Sequence, residues 1–103
     1  VLDYMDDHYY DPDLSLPDLA AVVGWSPKYL ISVFRDVVGQ SPMSYLQNLR
    51  IRRSLDLLET GRYSVCQVAE LVGYRDPSYF GRVFRRFVGI SPSQYVKSLP
   101  LGF

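Results

Sequence analysis

Lys28, Ile31, Ser32 and Arg35 share one side of a helical pattern, and Ser78, Gly81, Arg82 and Arg85 share the matching side of a second. Short side chains flanked by basic ones suit hydrogen bonding and charge pairing with an anion-rich surface rather than bond making. The rest of the chain offers little reactive chemistry. Cys66, the single cysteine, sits in a short helical pattern between Val65 and Val68 and reads as a small buried hydrophobe rather than a nucleophile. Being alone, it excludes an internal disulfide. His8 has no second histidine or cysteine at ligand spacing, and Asp3, Asp6 and Asp7 read as a solvated helix face, so no metal is expected. No phosphate-cradling glycine loop and no Ser-His-Asp set stands out, and the chain is read as non-enzymatic and free of cofactors.

Charge is divided along the sequence. The 103 residues carry 11 basic and 11 acidic side chains, a formal net charge of zero. Residues 1–18 hold six aspartates and no lysine or arginine, so the remainder sets 11 Lys and Arg residues against five acidic ones, a net of +6. Such asymmetry points to nucleic-acid binding by the basic part, against the plainer alternative of solvated charge on helical surfaces. With 48% hydrophobic and 21% charged residues, the composition is that of a soluble folded chain, long enough for one compact domain or two very small modules. No apolar run approaches the roughly 18 residues of a membrane span and no leader pattern opens the chain, so a cytoplasmic location without membrane contact is expected. Val1 in place of methionine, with helical pattern starting almost at once, reads as a piece of a longer protein.

The elements that must position these residues are punctuated by serine, proline and glycine. Leu2, Met5 and Tyr9 predict a first helix over residues 1–10, stopped by Asp11 and Pro12. Ser15 with Asp18 forms a capping box for a second helix ended by Gly24. Ser26-Pro27 opens a third helix running to Val38 and Gly39, and Ser41-Pro42 opens a long fourth that ends before Gly61. Ser64 with Gln67, Asp76 with Pro77, and Ser91-Pro92 with Gln94 start three more. Seven helices and no strand pattern predict an all-α fold.

The chain also repeats itself. At an offset of 49, Ala20, Val23 and Gly24 match Ala69, Val72 and Gly73. One extra residue then shifts the offset to 50, where Pro27, Tyr29, Val33, Phe34, Arg35, Val38, Gly39, Ser41, Pro42 and Tyr45 match Pro77, Tyr79, Val83, Phe84, Arg85, Val88, Gly89, Ser91, Pro92 and Tyr95. A short helix, a glycine turn, a longer helix and a capped helix start make the helix-turn-helix plan, twice. The long helix joins the copies. Met43, Tyr45, Leu46 and Leu49 cluster on one side of it and Ile51, Leu55 and Leu58 on the other, so its first half serves an upstream module and its second half a downstream one. The predicted organisation is a first helix-turn-helix unit over residues 1–41, a linker helix over 42–60 and a second unit over 61–103.

In the third helix Tyr29, Leu30, Val33, Phe34, Val37 and Val38 form an apolar stripe about half the circumference wide, and in the sixth Tyr79, Phe80, Val83, Phe84, Phe87 and Val88 do the same. Both stripes are read as core, and most of the nine tyrosines with them. The opposite faces, short and basic, fit a DNA major groove, with base edges read near the helix N-terminus and phosphates met by the flanking cations.

The run Gly73-Tyr74, Asp76, Ser78-Tyr79-Phe80, Arg82, Phe84, Gly89, Ser91-Pro92 and Tyr95 closely resembles the second helix-turn-helix of the AraC/XylS family of bacterial transcription regulators. Gly24-Trp25-Ser26, Tyr29-Leu30, Phe34, Gly39 and Tyr45-Leu46 resemble the first, and Arg50, Ile51 and Leu57-Leu58 the linker. The resemblance implies a seven-helix C-terminal DNA-binding domain that follows an effector or dimerisation domain and contacts double-stranded promoter DNA and RNA polymerase. Carried over position by position, the family's base-reading residues fall on Lys28, Ile31 and Ser32 in a helix over about 26–38, and on Ser78, Tyr79 and Arg82 in one over about 76–88. The absence of a basic or amide side chain at Ile31 and Ser32 departs from the family's habit and leaves Lys28 as the main hydrogen-bonding reader there, with Ile31 suited to a thymine methyl. Arg35, Arg75, Arg85 and Arg86 are the expected phosphate contacts. The rival class is a protein-interaction module that docks a partner through its acidic first helix or its basic faces.

Overall fold

Seven helices, numbered in chain order, make up the computed structural model, which describes residues 1–100; residues 101–103 of the second predicted unit lie outside the described residues. They are α1 Leu2–His8, α2 Leu16–Val23, α3 Pro27–Val38, α4 Pro42–Glu59, α5 Val65–Leu71, α6 Pro77–Val88 and α7 Pro92–Ser98, with no strand among the described residues. Local chemistry sets most boundaries. Ser15, Ser26, Ser41, Ser64, Asp76 and Ser91 each accept a hydrogen bond from an amide of the first turn that follows, and all but α5 among those helices carry proline at the start. Gly24, Gly39 and Gly89 close α2, α3 and α6 in the left-handed conformation that costs glycine nothing. The predicted first helix is two residues too long: α1 ends at His8, and Tyr9 and Tyr10 turn away because the Tyr9 carbonyl is drawn to Arg50.

The repeat persists in three dimensions. The Trp25 amide donates to the Ala20 carbonyl at 3.0 Å and the Tyr74 amide to the Ala69 carbonyl at 2.9 Å, so the two turns are closed alike. Phe34 meets Tyr45 edge-on at 5.7 Å, and Phe84 meets Tyr95 at 5.8 Å. Matching Trp25 to Tyr74, and the caps Ser26 to Asp76, leaves Arg75 as the extra residue of the second copy.

Two cores flank the long helix. Met5, Leu14, Leu19, Ala20, Leu30 and Phe34 pack with Leu46 and Leu49 of α4, whereas Val68, Ala69, Val72, Phe80, Val83 and Phe84 pack with its Ile51 and Leu58. The change of side midway along α4 is therefore real. Full burial of side chains of this size is worth about 1.5–3 kcal/mol each.

Three sequence expectations need correcting. Only part of each apolar stripe is core: Leu30 and Phe34 are buried in α3, and Phe80, Val83 and Phe84 in α6, while Tyr29, Val37, Tyr79 and Phe87 are exposed. A stripe half a helix wide exceeds what the neighbouring helices of so small a module cover, so its edges stay wet. Of the nine tyrosines only Tyr74 is buried, because the others bring their hydroxyls to the surface, where Tyr79 and Tyr95 bond Gln47 and Glu59. Cys66 is exposed, since it lies about 200° around α5 from the buried Val68.

Candidate nucleic-acid interface

The N-terminus of α3 is fixed by Ser26, whose hydroxyl accepts from the Tyr29 amide at 3.2 Å, and that of α6 by Asp76, which accepts from the Ser78 amide at 2.9 Å. From these caps Lys28 and Ser32 on α3, and Ser78 and Arg82 on α6, project into solvent, with Ile31 half-buried beside them. Arg35, Arg85 and Arg86, further along the same helices, are also exposed. The two faces differ in charge. The first holds one lysine and one arginine, whereas the second carries Arg82, Arg85 and Arg86 along a helix whose N-terminus is capped by the carboxylate of Asp76.

Three of the sequence-derived site residues, Arg75, Tyr79 and Arg82, have partners within the chain. Arg75 forms a two-pronged pair with Asp13, its Nη1 and Nη2 lying 2.6 and 2.7 Å from the two carboxylate oxygens. That hydrogen bond, with the arginine's charge, holds the Asp13 carboxyl below the usual carboxylate range. Both side chains are mostly exposed, so the pair adds little to stability. Tyr79 accepts a hydrogen bond from Gln47 Nε2 at 3.1 Å, and the Arg82 guanidinium lies 5.6 Å from its ring centre.

Behind this surface the two modules are clasped together. Arg50, almost fully buried at the middle of α4, donates from Nε to the Tyr9 carbonyl at 2.8 Å and from Nη2 to the Asp11 carbonyl at 2.7 Å. Its guanidinium also lies 5.6 Å from the centre of the Tyr74 ring. Gly73 has to be glycine twice over: its φ is +102°, and a Cβ there would lie 2.6 Å from the Tyr9 carbonyl oxygen. Sequence reasoning missed Gln47 and the clasping role of Arg50. The signal for Arg50 was available, since it follows Met43 and Leu46 at i+7 and i+4 and so falls in a core phase.

No helix among the described residues is long and apolar enough to cross a membrane. None of their histidine, cysteine, aspartate and glutamate side chains forms a group of three fit to hold a metal.

A family model described as a helix-turn-helix domain matches residues 19–98, most of the chain and both repeats. The chain belongs to the AraC-type helix-turn-helix family of transcription-regulator DNA-binding domains. This AraC-type domain is 36% identical over 77 residues to the arabinose operon regulatory protein of Escherichia coli, covering 75% of the chain and 26% of that protein. Among solved structures, the C-terminal domain of AraT, a response regulator from Geobacillus stearothermophilus, superimposes with a TM-score of 0.92 at 28% identity, over 98% of this chain and 84% of that one. The DNA-binding domain of AdpA, a global transcriptional factor solved in complex with a target DNA, gives a TM-score of 0.89 at 31% identity, over 94% and 86%. The AraC-type domain spans about a quarter of the length of the full-length relatives it matches.

Proposed function

We propose that this chain is the DNA-reading part of a longer transcription regulator, with α3 and α6 entering successive major grooves of one duplex. The observation that carries this reading is the pair of repeat-related helices with outward faces left uncovered, attached through separate cores to the two ends of α4. The 18 residues of α4 span about 27 Å at 1.5 Å per residue, a little under the roughly 34 Å of one DNA turn. Residues 1–41 and 61–103 then act as two reading units on the linker of residues 42–60.

Within each groove the chemistry follows from the side chains. Arg82 and Lys28 suit the O6 and N7 acceptors of guanine, Ile31 the methyl of thymine, and Ser32 and Ser78 either a donor or an acceptor. Arg35, Arg85 and Arg86 meet phosphates, and Arg75 joins them only on leaving Asp13. In the full-length regulator an effector or dimerisation domain and contact with RNA polymerase complete the assembly, and a bacterial cytoplasm is its setting.

A gel shift against random duplex fragments across a salt series tests the reading. Retardation is expected, with log affinity falling against log salt at about −0.9 per phosphate neutralised. A protein-docking module would retard no fragment, and binding that ignored salt would remove the charged face from the account.

A further inference from the structure

The arginine proposed to read bases from α6 is braced from the linker helix, and among the described residues the first module has nothing equivalent. Tyr79 takes the Gln47 amide at its hydroxyl, lies 5.9 Å from the buried Tyr74 ring, and carries Arg82 5.6 Å from its own ring centre. Tyr74 in turn sits beside Arg50, which is tied to the Tyr9 and Asp11 carbonyls. Among the described residues the repeat partner Tyr29 is paired only with Trp25, at 5.0 Å, and it is 55% exposed. Where α6 has Arg82, α3 has Ser32. The bracing accompanies the arginine.

From this juxtaposition we propose that Tyr79 is a positioning residue for Arg82 rather than a reader of bases, and that Gln47 on α4 holds Tyr79 in place. The proposal rests on the reading of Arg82 as a base contact. A guanidinium drawn to an aromatic face keeps its edge donors free, and those are the groups that address guanine two at a time. An arginine already settled on a ring also loses less rotamer freedom when it binds, so the bracing favours the bound geometry. A hydroxyl occupied by Gln47 has less to offer a base edge.

A double-mutant cycle decides the matter. Tyr79→Phe, Tyr79→Leu and Gln47→Met are each made with Arg82 intact and with Arg82→Ala. Binding is measured on a selected site, on the same site altered at the base pair Arg82 reads, and on random duplex, with melting temperatures confirming the fold. With Arg82 present, Tyr79→Phe and Gln47→Met are expected to lower the preference at that base pair about 2- to 5-fold, as loss of one modest hydrogen bond would. Tyr79→Leu, which also removes the ring, is expected to lower it about 5- to 20-fold. In the Arg82→Ala background none of the three should change binding further. An equal loss in both backgrounds, or a changed preference at a different base pair, would make Tyr79 a base contact in its own right and overturn the proposal. If Arg82→Ala weakens every duplex alike, the base-reading role of Arg82 falls, while the coupling measured on random duplex still decides the bracing.

Discussion

Arg75 is the residue by which the second repeat exceeds the first, and it reaches back across the molecule to Asp13. If Arg75 is a latent phosphate contact, Asp13→Asn should free it. DNA affinity is then expected to rise and the salt slope to steepen by about one phosphate, and Arg75→Ala in the same background should reverse both. An unchanged slope would leave the pair purely structural. Tyr74 offers a second test at this scale, because its buried hydroxyl has no hydrogen-bond partner among the described residues. Burial pushes its pKa from 10.0 to about 12, and the hydrogen bond to Glu59 takes Tyr95 to about 12 as well. Unfolded tyrosine loses its proton first, so this stability is whole below pH 10 and drains away as pH rises toward about 12. Tyr74→Phe should leave thermal stability at pH 7 unchanged or raised, and should flatten the alkaline loss seen by circular dichroism; a clear drop at pH 7 would reveal an unrecognised partner. None of this was legible in the sequence. Caps such as Ser15 with Asp18 are local and could be read directly, whereas the surroundings of Tyr74 depend on Arg50, and the partner of Arg75 lies 62 positions away.

At the scale of elements, α4 was the most legible feature, because a change of apolar side midway along a helix has few explanations other than two cores. The apolar stripes of α3 and α6 were over-read. Hydrophobic periodicity told which side of α3 and α6 faces inward, but the width of cover depends on how much neighbour each helix has, and Val37 at 79% exposure shows how little that is. Gly81 remains the anomaly of α6. It stands mid-helix with ordinary backbone angles and open space where a Cβ would go, so the fold does not require glycine there. Gly81→Ala should stabilise the domain by about 0.5–1 kcal/mol in chemical denaturation, the usual helix penalty of glycine. A neutral or destabilising result would mean that the backbone at this point serves a contact the free domain does not display.

For the whole molecule, zero net charge conceals a working division. The acidic N-terminal stretch includes Asp13, which holds Arg75 in the second module, and the basic excess lies beyond residue 18. The clasp formed by Arg50, Gly73 and the Asp13–Arg75 pair gives the modules a second point of attachment besides the continuity of α4. Repeat symmetry in the sequence foretold the two modules and their joining helix. It did not foretell the clasp, because the residues that make it differ between the copies. If the domain reads two grooves as proposed, being held in this way it should tolerate only one separation between them. The direct test is the affinity of the chain for a site selected from random DNA, compared with the same site carrying five base pairs inserted between its two halves, which turns one half to the opposite side of the duplex. The account predicts a loss of about 100-fold or more, as two linked contacts become one; equal affinity for both duplexes would contradict it.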